Sequence, residues 1–272
     1  LERKSAKGSP IAPEALRQFQ ALAAAMKESG NTSWDYDFKA FEGVMFPQSS
    51  KLNPVAKVIA PDAPRTFAMG DADGSMTRMV LHAIASGVAT LPTDKMPALA
   101  RLMSAEVEHL KKGTLHVYQA DKSLSHDLDE IASALKVEPS PQGGKPACIY
   151  LGDILSDRFT NNQEAMAKFI YKLSGIDNPR DPGQRVDTGV RFIAGNHDTF
   201  PLLDNEGGSI PKDVDTITWG AFANKRLPLD EYKKLLIDCF KAADYSAGVL
   251  TTHIGVAKSA VEGKFLVGVG GQ

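Results

Sequence analysis

Four short apolar segments constrain the fold of this chain most, because each ends in glycine together with acidic, amide or histidine residues. They are RTFAMGDADG at 65–74, ACIYLGDILSDR at 147–158, VRFIAGNHDTF at 190–200 and AGVLTTHIG at 247–255. Short apolar runs fit a buried strand or a buried helix, but glycine directly after each run favours strands. Helical patterns occur at 75–87, 96–112, 163–175 and 229–243. The alternation predicts an α/β fold with polar residues at the carboxyl ends of strands, where such sheets bind ligands.

Two regions lie outside this alternation. Residues 1–63 hold one amphipathic helix, from Pro13 to Ser29, followed by an irregular stretch rich in Pro, Ser and Asn. We interpret them as an N-terminal helical extension to a domain formed by residues 64–272. Within that domain, residues 92–145 have the pattern of a helix, a turn and a second helix. They predict a helical-hairpin insertion that either projects near the site or offers a surface to a protein partner.

Charge and composition exclude several classes of protein. With 31 basic and 33 acidic residues, the chain has a formal net charge of −2 and no global field that would attract nucleic acid. No apolar run reaches the roughly 18 residues of a membrane span. The first ten residues, LERKSAKGSP, lack the apolar stretch of a secretory signal. Two cysteines cannot form a disulfide framework, so we expect a soluble, cytoplasmic protein that is stabilised by its core.

The strand ends collect residues that can bind metal ions. In chain order these candidates are Asp71, Asp73, Asp153, Asn196, His197 and His253. Asp71 and Asp73 are two residues apart, so in an extended segment their carboxylates lie on one side. Carboxylate, amide and imidazole ligands suit Mn²⁺, Fe²⁺, Zn²⁺ or Mg²⁺. Two such ions about 3.5–4 Å apart could hold a phosphoryl group and generate a metal-bound hydroxide.

Each motif also has a simpler explanation when it is taken alone. Gly-Asp after a strand is common in turns, and Asn196-His197-Asp198 can cap a helix or form an Asx turn. A single histidine at a strand end is more often a rim residue than a ligand. Four such motifs in one chain, each at the end of an apolar run, favour one shared site over four unrelated turns.

In this order, GDADG, GDILSDR, GNHD and TTHIG resemble the signature of the metallophosphoesterases. They are most similar to the phosphoprotein phosphatase (serine/threonine phosphatase) family, whose motifs are GDxHG, GDxxDRG, GNHE and a later HGG. The resemblance covers residues 64–255 and is interrupted by residues 92–145. It implies a calcineurin-like sandwich of central β-sheets flanked by helices. It also implies that phosphotyrosine, phosphoserine or phosphothreonine in a phosphoprotein is hydrolysed by a two-metal, metal-hydroxide mechanism.

The resemblance also implies a set of metal ligands. Asp71 would bind the first ion, Asp153 would bridge both ions, and Asn196 and His253 would bind the second. Asp73 stands where the family has histidine, so an anionic ligand replaces a neutral one. Because this makes the ligand set harder, we expect two divalent ions with a preference for Mn²⁺ or Mg²⁺ over Fe or Zn.

Three further residues take catalytic roles in this comparison. His197 matches the general acid that protonates the leaving-group oxygen, and Asp157 would orient its imidazole. Arg158 matches the arginine that holds phosphate oxygens through its planar guanidinium.

The chain departs from the family at several points. GDILSDR is one residue longer than GDxxDR, Phe159 replaces a glycine, and Ile254 replaces the first glycine of HGG. Residues 256–272 contain no match for the family's last metal-binding His or for its further phosphate-binding Arg. Divergence of this kind is similar to the Wip-type effector phosphatases of Legionella. That resemblance implies a protein phosphatase secreted into a host cell.

Two other functions remain open from the residues. Asp71-Ala72-Asp73-Gly74-Ser75 is close to the nucleophile motif of haloacid-dehalogenase-type phosphatases, in which Asp71 would form an aspartyl-phosphate and Asp73 would be the acid/base. That reading leaves GNHD and TTHIG unexplained. A pseudophosphatase that only binds a partner is the other alternative. A cysteine-dependent phosphatase is excluded, because it needs Arg six residues after Cys and the chain has Ile154 and Tyr245 there.

Overall fold

The computed structural model describes residues 13–28, 66–140, 147–177, 179–180, 185–205, 226–246 and 249–253. The helices are α1 (Pro13–Glu28), α2 (Met76–Ala85), α3 (Met96–Lys112), α4 (Leu115–Ala120), α5 (Lys122–Ala134), α6 (Gln163–Leu173), α7 (Asn196–Asn205) and α8 (Leu229–Cys239). The strands are β1 (Phe67–Met69), β2 (Ala89–Thr90), β3 (Lys136–Val137), β4 (Cys148–Tyr150), β5 (Val190–Ile193), β6 (Phe240–Lys241), β7 (Ala243–Ser246) and β8 (Val249–Thr252).

A parallel sheet with the strand order β1-β4-β5-β6 forms the centre of the fold. Its register aligns Phe67 with Cys148 and Cys148 with Val190. All three residues of β4 are buried, as expected for an inner strand of a parallel sheet that is covered on both faces. Since the strands are parallel, the loops after β1, β4 and β5 leave the same edge of the sheet. The predicted α/β architecture, with a central sheet flanked by helices, is confirmed.

The fourth predicted strand belongs to a different sheet. β8 pairs antiparallel with β7, with Ala243 opposite Thr252, and this hairpin contacts β5. His253 therefore reaches the site from a second sheet rather than from the central one. The helix predicted over 229–243 ends earlier, at Cys239. It ends there because Phe240 and Lys241 extend the central sheet as β6 beside β5.

Residues 92–140 differ from a simple projecting hairpin. They contain three helices, α3, α4 and α5, and antiparallel pairing of β2 with β3 brackets them. Their apolar side chains join the same core as β4 and α2, and the largest fully buried ones are Met96, Leu99, Leu102, Tyr118 and Ile131. The segment therefore contributes to the core of the protein. Residues 141–146 of the predicted loop lie outside the described residues.

Helix α1 matches the amphipathic helix predicted for the N-terminal extension. Phe19, Leu22 and Met26 are buried in the core, and α1 packs against α3. A hydrogen bond also joins α1 to the segment after β2, because the side-chain oxygen of Gln18 accepts the backbone N–H of Leu91 at 2.9 Å. The rest of residues 1–63 lies outside the described residues.

Both cysteines are buried with free thiols, as their apolar surroundings predict. Burial raises the pKa of Cys148 to about 12 and that of Cys239 to about 11, so neither thiol ionises at neutral pH. In the described ranges, no helix combines the length and the apolar character that crossing a bilayer requires.

Candidate metal centre

Two glycines allow the loops after β4, β5 and β8 to meet. A Cβ atom on Gly152 would overlap the His253 ring, and one on Gly195 would overlap the Asp153 carboxylate. Gly152 also has a φ of +105°, which residues with a side chain rarely adopt. The glycines before Asp153 and Asn196 therefore have a steric reason, because any larger residue at these two positions would separate the groups that follow.

The loop after β1 is tied to the loop after β4 through the backbone. The N–H of Ala72 donates to the carbonyl of Gly152 at 3.2 Å, and the N–H of Gly74 donates to the carbonyl of Asp153 at 2.9 Å. Asp153 has a φ of +53°, in the left-handed region that aspartate tolerates better than most residues. These contacts fix the separation of the two acidic loops.

One group of potential ligands contains Asp71, Asp153 and His253, whose ligand atoms all lie within 4.8 Å of one another. Nδ1 of His253 is 3.6 Å from Asp71 Oδ1, and its Nε2 is 3.5 Å from Asp153 Oδ1. Oδ1 of Asn196 lies 2.9 Å from the same Nε2. The structure thus brings together four of the five predicted metal ligands.

A second group shares Asp153 and adds Asp157 and His197, again within 4.8 Å. The backbone N–H of His197 donates to Asp153 Oδ1 at 3.1 Å, and His197 Nδ1 lies 3.3 Å from Asp157 Oδ2. Asp157 Oδ1 accepts a hydrogen bond of 2.6 Å from the N–H of Arg158. In the part of the chain that the structure describes, the buried Asp157 Oδ2 accepts no well-aligned hydrogen bond.

Burial raises the pKa values of the Asp153 and Asp157 carboxyl groups. For Asp153 the cost of desolvation exceeds the opposing effects of the His197 N–H and the two nearby imidazoles. For Asp157 desolvation again exceeds the stabilisation of the anion by Arg158 and His197. Buried carboxylates are normally paired or coordinate a metal, and a cation here would favour their ionised forms. The donor set and the unsatisfied Asp157 oxygen therefore fit divalent metal ions.

Asp198 holds the two main loops together, a role that sequence reasoning did not assign. Its Oδ1 accepts hydrogen bonds from the N–H groups of Ile154 and Leu155 at 2.8 and 2.7 Å, and its Oδ2 accepts one from Gly195 at 2.8 Å. Tyr232 donates its hydroxyl to the Asp198 carbonyl at 2.8 Å. Complete burial raises the pKa of Asp198 to about 6 despite these donors. The only sequence signal was its place at the end of the GNHD motif.

Asp73 is the predicted ligand that the structure does not bring to these groups. Among the described residues, it belongs to neither set of atoms that could hold a metal. Its carboxylate lies 3.1 Å from Arg78 Nη1 and 3.6 Å from Arg158 Nε. Arg158 itself lies beside the site, with its Nε 3.4 Å from Asp157 Oδ1.

The chain shows little similarity in sequence to known proteins. No protein-family model matches it, and no curated protein matches it. Among solved structures, it is similar to the phosphatase domain of the Legionella effector WipB, with 15% sequence identity and a TM-score of 0.43. The similarity covers 74% of this chain and 71% of that chain.

Proposed function

We propose that the chain is a metal-dependent phosphatase that hydrolyses phosphomonoesters of a phosphoprotein. The observation that carries the proposal is the position of Asp153. This buried carboxylate lies among Asp71, Asn196 and His253 at the carboxyl edge of a parallel sheet, and its Oδ1 also accepts the backbone N–H of His197. A buried carboxylate among several oxygen and imidazole donors is a suitable shared ligand for a pair of divalent ions in phosphoryl chemistry.

Asp71, Asp153, Asn196 and His253 would hold the ions. Mn²⁺ is our first candidate because oxygen donors dominate this set, and Mg²⁺, Fe²⁺ or Zn²⁺ also suit it. When bound, two divalent ions would neutralise the phosphoryl oxygens and activate a water molecule for attack on phosphorus. Asp71 is open to solvent, with 62% of its side chain exposed, whereas Asp153 is buried. The site is therefore accessible from the side of Asp71.

His197 is the proposed general acid. Its Nδ1 lies 3.3 Å from the buried Asp157 carboxylate, which orients the ring with Nδ1 toward that acceptor. Nε2 is then the atom that transfers a proton to the leaving-group oxygen. The hydrogen bond from its backbone N–H to Asp153 fixes its position relative to the proposed metal ligands.

Arg158 is the proposed binding group for the phosphoryl oxygens. Its side chain is about half exposed (49%) and lies beside Asp157, which in turn contacts His197. A planar guanidinium can donate two parallel hydrogen bonds to a phosphate. A phosphopeptide panel assayed with Mn²⁺ measures the preference among phosphotyrosine, phosphoserine and phosphothreonine. Through the resemblance to secreted effectors, we propose a host-cell phosphoprotein as the substrate.

The aspartyl-phosphate alternative requires Asp73 to donate and accept a proton. Asp73 instead lies between two guanidinium groups, with its Oδ2 3.1 Å from Arg78 Nη1 and its Oδ1 3.6 Å from Arg158 Nε. Both carboxylate oxygens thus face a guanidinium group. The contacts of Asp73 therefore favour the metal-dependent mechanism.

A metal titration combined with a turnover assay tests the proposal. We expect Mn²⁺ binding by calorimetry, and hydrolysis of p-nitrophenyl phosphate that a chelator abolishes and Mn²⁺ restores best. Asp153→Asn keeps the size and the left-handed backbone, and it should weaken Mn²⁺ binding by more than the ~10–100-fold typical of a group that only supports a ligand. Asp94→Asn is the control, because that carboxylate is 72% exposed and lies outside both ligand groups.

Three results would count against the proposal. Mn²⁺ binding without turnover would identify a binding module, and the absence of Mn²⁺ binding would reject the metal centre. Restoration by Zn²⁺ alone would show that nitrogen ligands dominate and that the oxygen-rich assignment is wrong.

A further inference from the structure

Asp73 faces the loop after β4 with both its backbone and its side chain. Its carbonyl accepts a hydrogen bond of 2.9 Å from the N–H of Phe159. Its Oδ2 lies 3.1 Å from Arg78 Nη1, and its Oδ1 lies 3.6 Å from Arg158 Nε. The backbone is in the left-handed region, with a φ of +54°. One carboxylate thus bridges two guanidinium groups and fixes their spacing.

Arg78 is held from a second direction by an aromatic ring. Its guanidinium carbon lies 4.7 Å from the centre of the Phe159 ring, a cation–π geometry that also accommodates a planar guanidinium. Phe159 is almost fully buried, so it forms a fixed platform. The Arg78 side chain nevertheless stays 42% exposed and the Arg158 side chain 49%. Both guanidiniums are therefore partly immobilised while part of their surface still faces solvent.

Two departures from the family motifs have one explanation in this arrangement. Asp73 replaces a histidine ligand, and Phe159 replaces a glycine. Both replacements contact Arg78, one through an ion pair and one through its ring. Arg158 also lies 3.4 Å from Asp157, which in turn lies 3.3 Å from His197, so the two arginines belong to the same cluster as the proposed general acid.

We infer that Asp73 is a positioning residue for two arginines rather than a metal ligand, and that Arg78 is a second phosphate-binding residue beside Arg158. The inference rests on the proposed phosphatase function and specifies how that site binds the phosphoryl group. Charge-assisted hydrogen bonds from a guanidinium to phosphate oxygens are strong, and prior immobilisation lowers the entropic cost of forming them.

Metal content tests the first half of the inference. Asp73→Asn and Asp73→Ala should bind as many Mn²⁺ ions per chain as the wild type, measured by elemental analysis after removal of free metal. Asparagine also tolerates the left-handed backbone, so folding should be retained in that variant. Loss of one ion per chain in Asp73→Asn would overturn this half, because it would make Asp73 a ligand.

Phosphate affinity tests the second half. Calorimetry with inorganic phosphate on the Mn²⁺-loaded protein should show about 10-fold weaker binding or more for Arg78→Ala, the loss expected for a charge-assisted hydrogen bond. Arg78→Lys should recover part of the affinity, because it restores the charge without the planar fork. Arg101→Ala is the matched control, since Arg101 is another half-exposed arginine paired with an aspartate, Asp127.

The positioning role predicts an order of phosphate affinity. Wild type should bind most tightly, Asp73→Asn less tightly and Asp73→Ala least, since the asparagine oxygen still accepts a hydrogen bond from one guanidinium. The reverse order would overturn the role of Asp73. Arg78→Ala with the affinity of Arg101→Ala would overturn the role of Arg78.

Failure of this inference is distinguishable from failure of the proposed function. If the wild type turns over phosphoesters and Arg78→Ala binds phosphate normally, the inference is wrong and the function stands. If phosphate binding depends on Arg78 but no metal-dependent turnover occurs, the function is wrong and the binding residue stands. A wild type that binds no phosphate contradicts the inference directly.

Discussion

Two polar regions of the molecule use similar residues for different purposes. The metal edge consists of Asp71, Asp153 and His253, and the buried seam consists of Ser75, Thr77, Glu106 and Tyr118. In the seam, Glu106 Oε2 accepts a hydrogen bond of 2.8 Å from the Ser75 hydroxyl, and Oε1 accepts one of 3.1 Å from the Tyr118 hydroxyl. Each carboxylate oxygen of the seam thus has a hydrogen-bond donor, as buried polar groups require.

The contacts of the metal edge are longer than those of the seam. Nε2 of His253 lies 3.5 Å from Asp153 Oδ1 and its Nδ1 lies 3.6 Å from Asp71 Oδ1, and both distances exceed those of ordinary hydrogen bonds. Burial raises the pKa of Asp153 there, as it raises that of Glu106 in the seam. Glu106, whose two oxygens accept hydrogen bonds from hydroxyl groups, stabilises the fold, whereas Asp153 accepts the backbone N–H of His197 and otherwise faces Asp71 and His253, as our proposal of a metal ligand requires.

The largest effect is expected from deleting the helices that contain Glu106 and Tyr118 of the seam. Replacing residues 92–145 with a short Gly-Ser linker should abolish cooperative unfolding, because Leu99, Leu102, Tyr118 and Ile131 are fully buried in the shared core. Each such side chain is worth ~2–5 kcal/mol, against a total stability of ~5–15 kcal/mol. Thermal unfolding followed by circular dichroism measures this. A folded, active deletion variant would contradict this expectation and show that residues 92–145 form a hairpin separate from the core, as their sequence pattern predicts.

A smaller effect is expected when one side chain of the seam, Glu106, is changed and the metal edge is left intact. Glu106→Ala should lower the free energy of unfolding by at least ~1–3 kcal/mol, since it leaves the hydroxyls of Ser75 and Tyr118 without their acceptor in the core. Urea unfolding of the metal-free protein measures the change. The number of Mn²⁺ ions bound should stay at the wild-type value. A variant that keeps its stability but loses metal would show that the seam is part of the metal centre.

The smallest effect is a dependence on pH. Desolvation raises the pKa of Glu106 above its ordinary value of 4.5, so the folded state holds this proton more tightly than the unfolded state. The stability contributed by this group is therefore full at acid pH and declines as pH rises through the folded pKa. Glu106→Gln stays neutral, so its stability relative to wild type should increase over that range, by at most ~1.4 kcal/mol per pH unit. A pH-independent difference would contradict this assignment.

Local patterns in the sequence predict the central fold and most of the site. The apolar runs that end in Gly-Asp and Gly-Asn identify β1, β4 and β5, and parallel pairing then brings Asp71, Asp153 and Asn196 to one edge. His253 was also predicted for the site, although its strand lies in a separate hairpin. The structure nevertheless places His253 beside Asp71 and Asp153, because the position of a residue that follows a strand depends on the loop as well as on the sheet.

Long-range packing could not be predicted in the same way. The amphipathic pattern of α3 shows that it has a buried face but does not identify what covers that face. Two contacts could not be predicted for a related reason. They are the ion pair of Asp73 with Arg78, which is on the next helix, and the contact of Arg78 with the ring of Phe159, which is on another loop. The end of α8 depends on β5, which gives Phe240 and Lys241 a strand to pair with.

The central claim, metal-dependent hydrolysis with His197 as the general acid, is tested most directly by a leaving-group series. For His197→Ala, kcat should fall by about 10²–10⁴ toward phosphotyrosine or phosphoserine peptides, whose leaving groups need a proton. The loss should shrink toward p-nitrophenyl phosphate, the Mn²⁺ content should stay constant, and the exposed His126→Ala control should match wild type. Loss of a bound ion would instead make His197 a ligand. A flat, unimpaired series together with a hydroxylamine-sensitive phosphoenzyme on Asp71 would contradict the account.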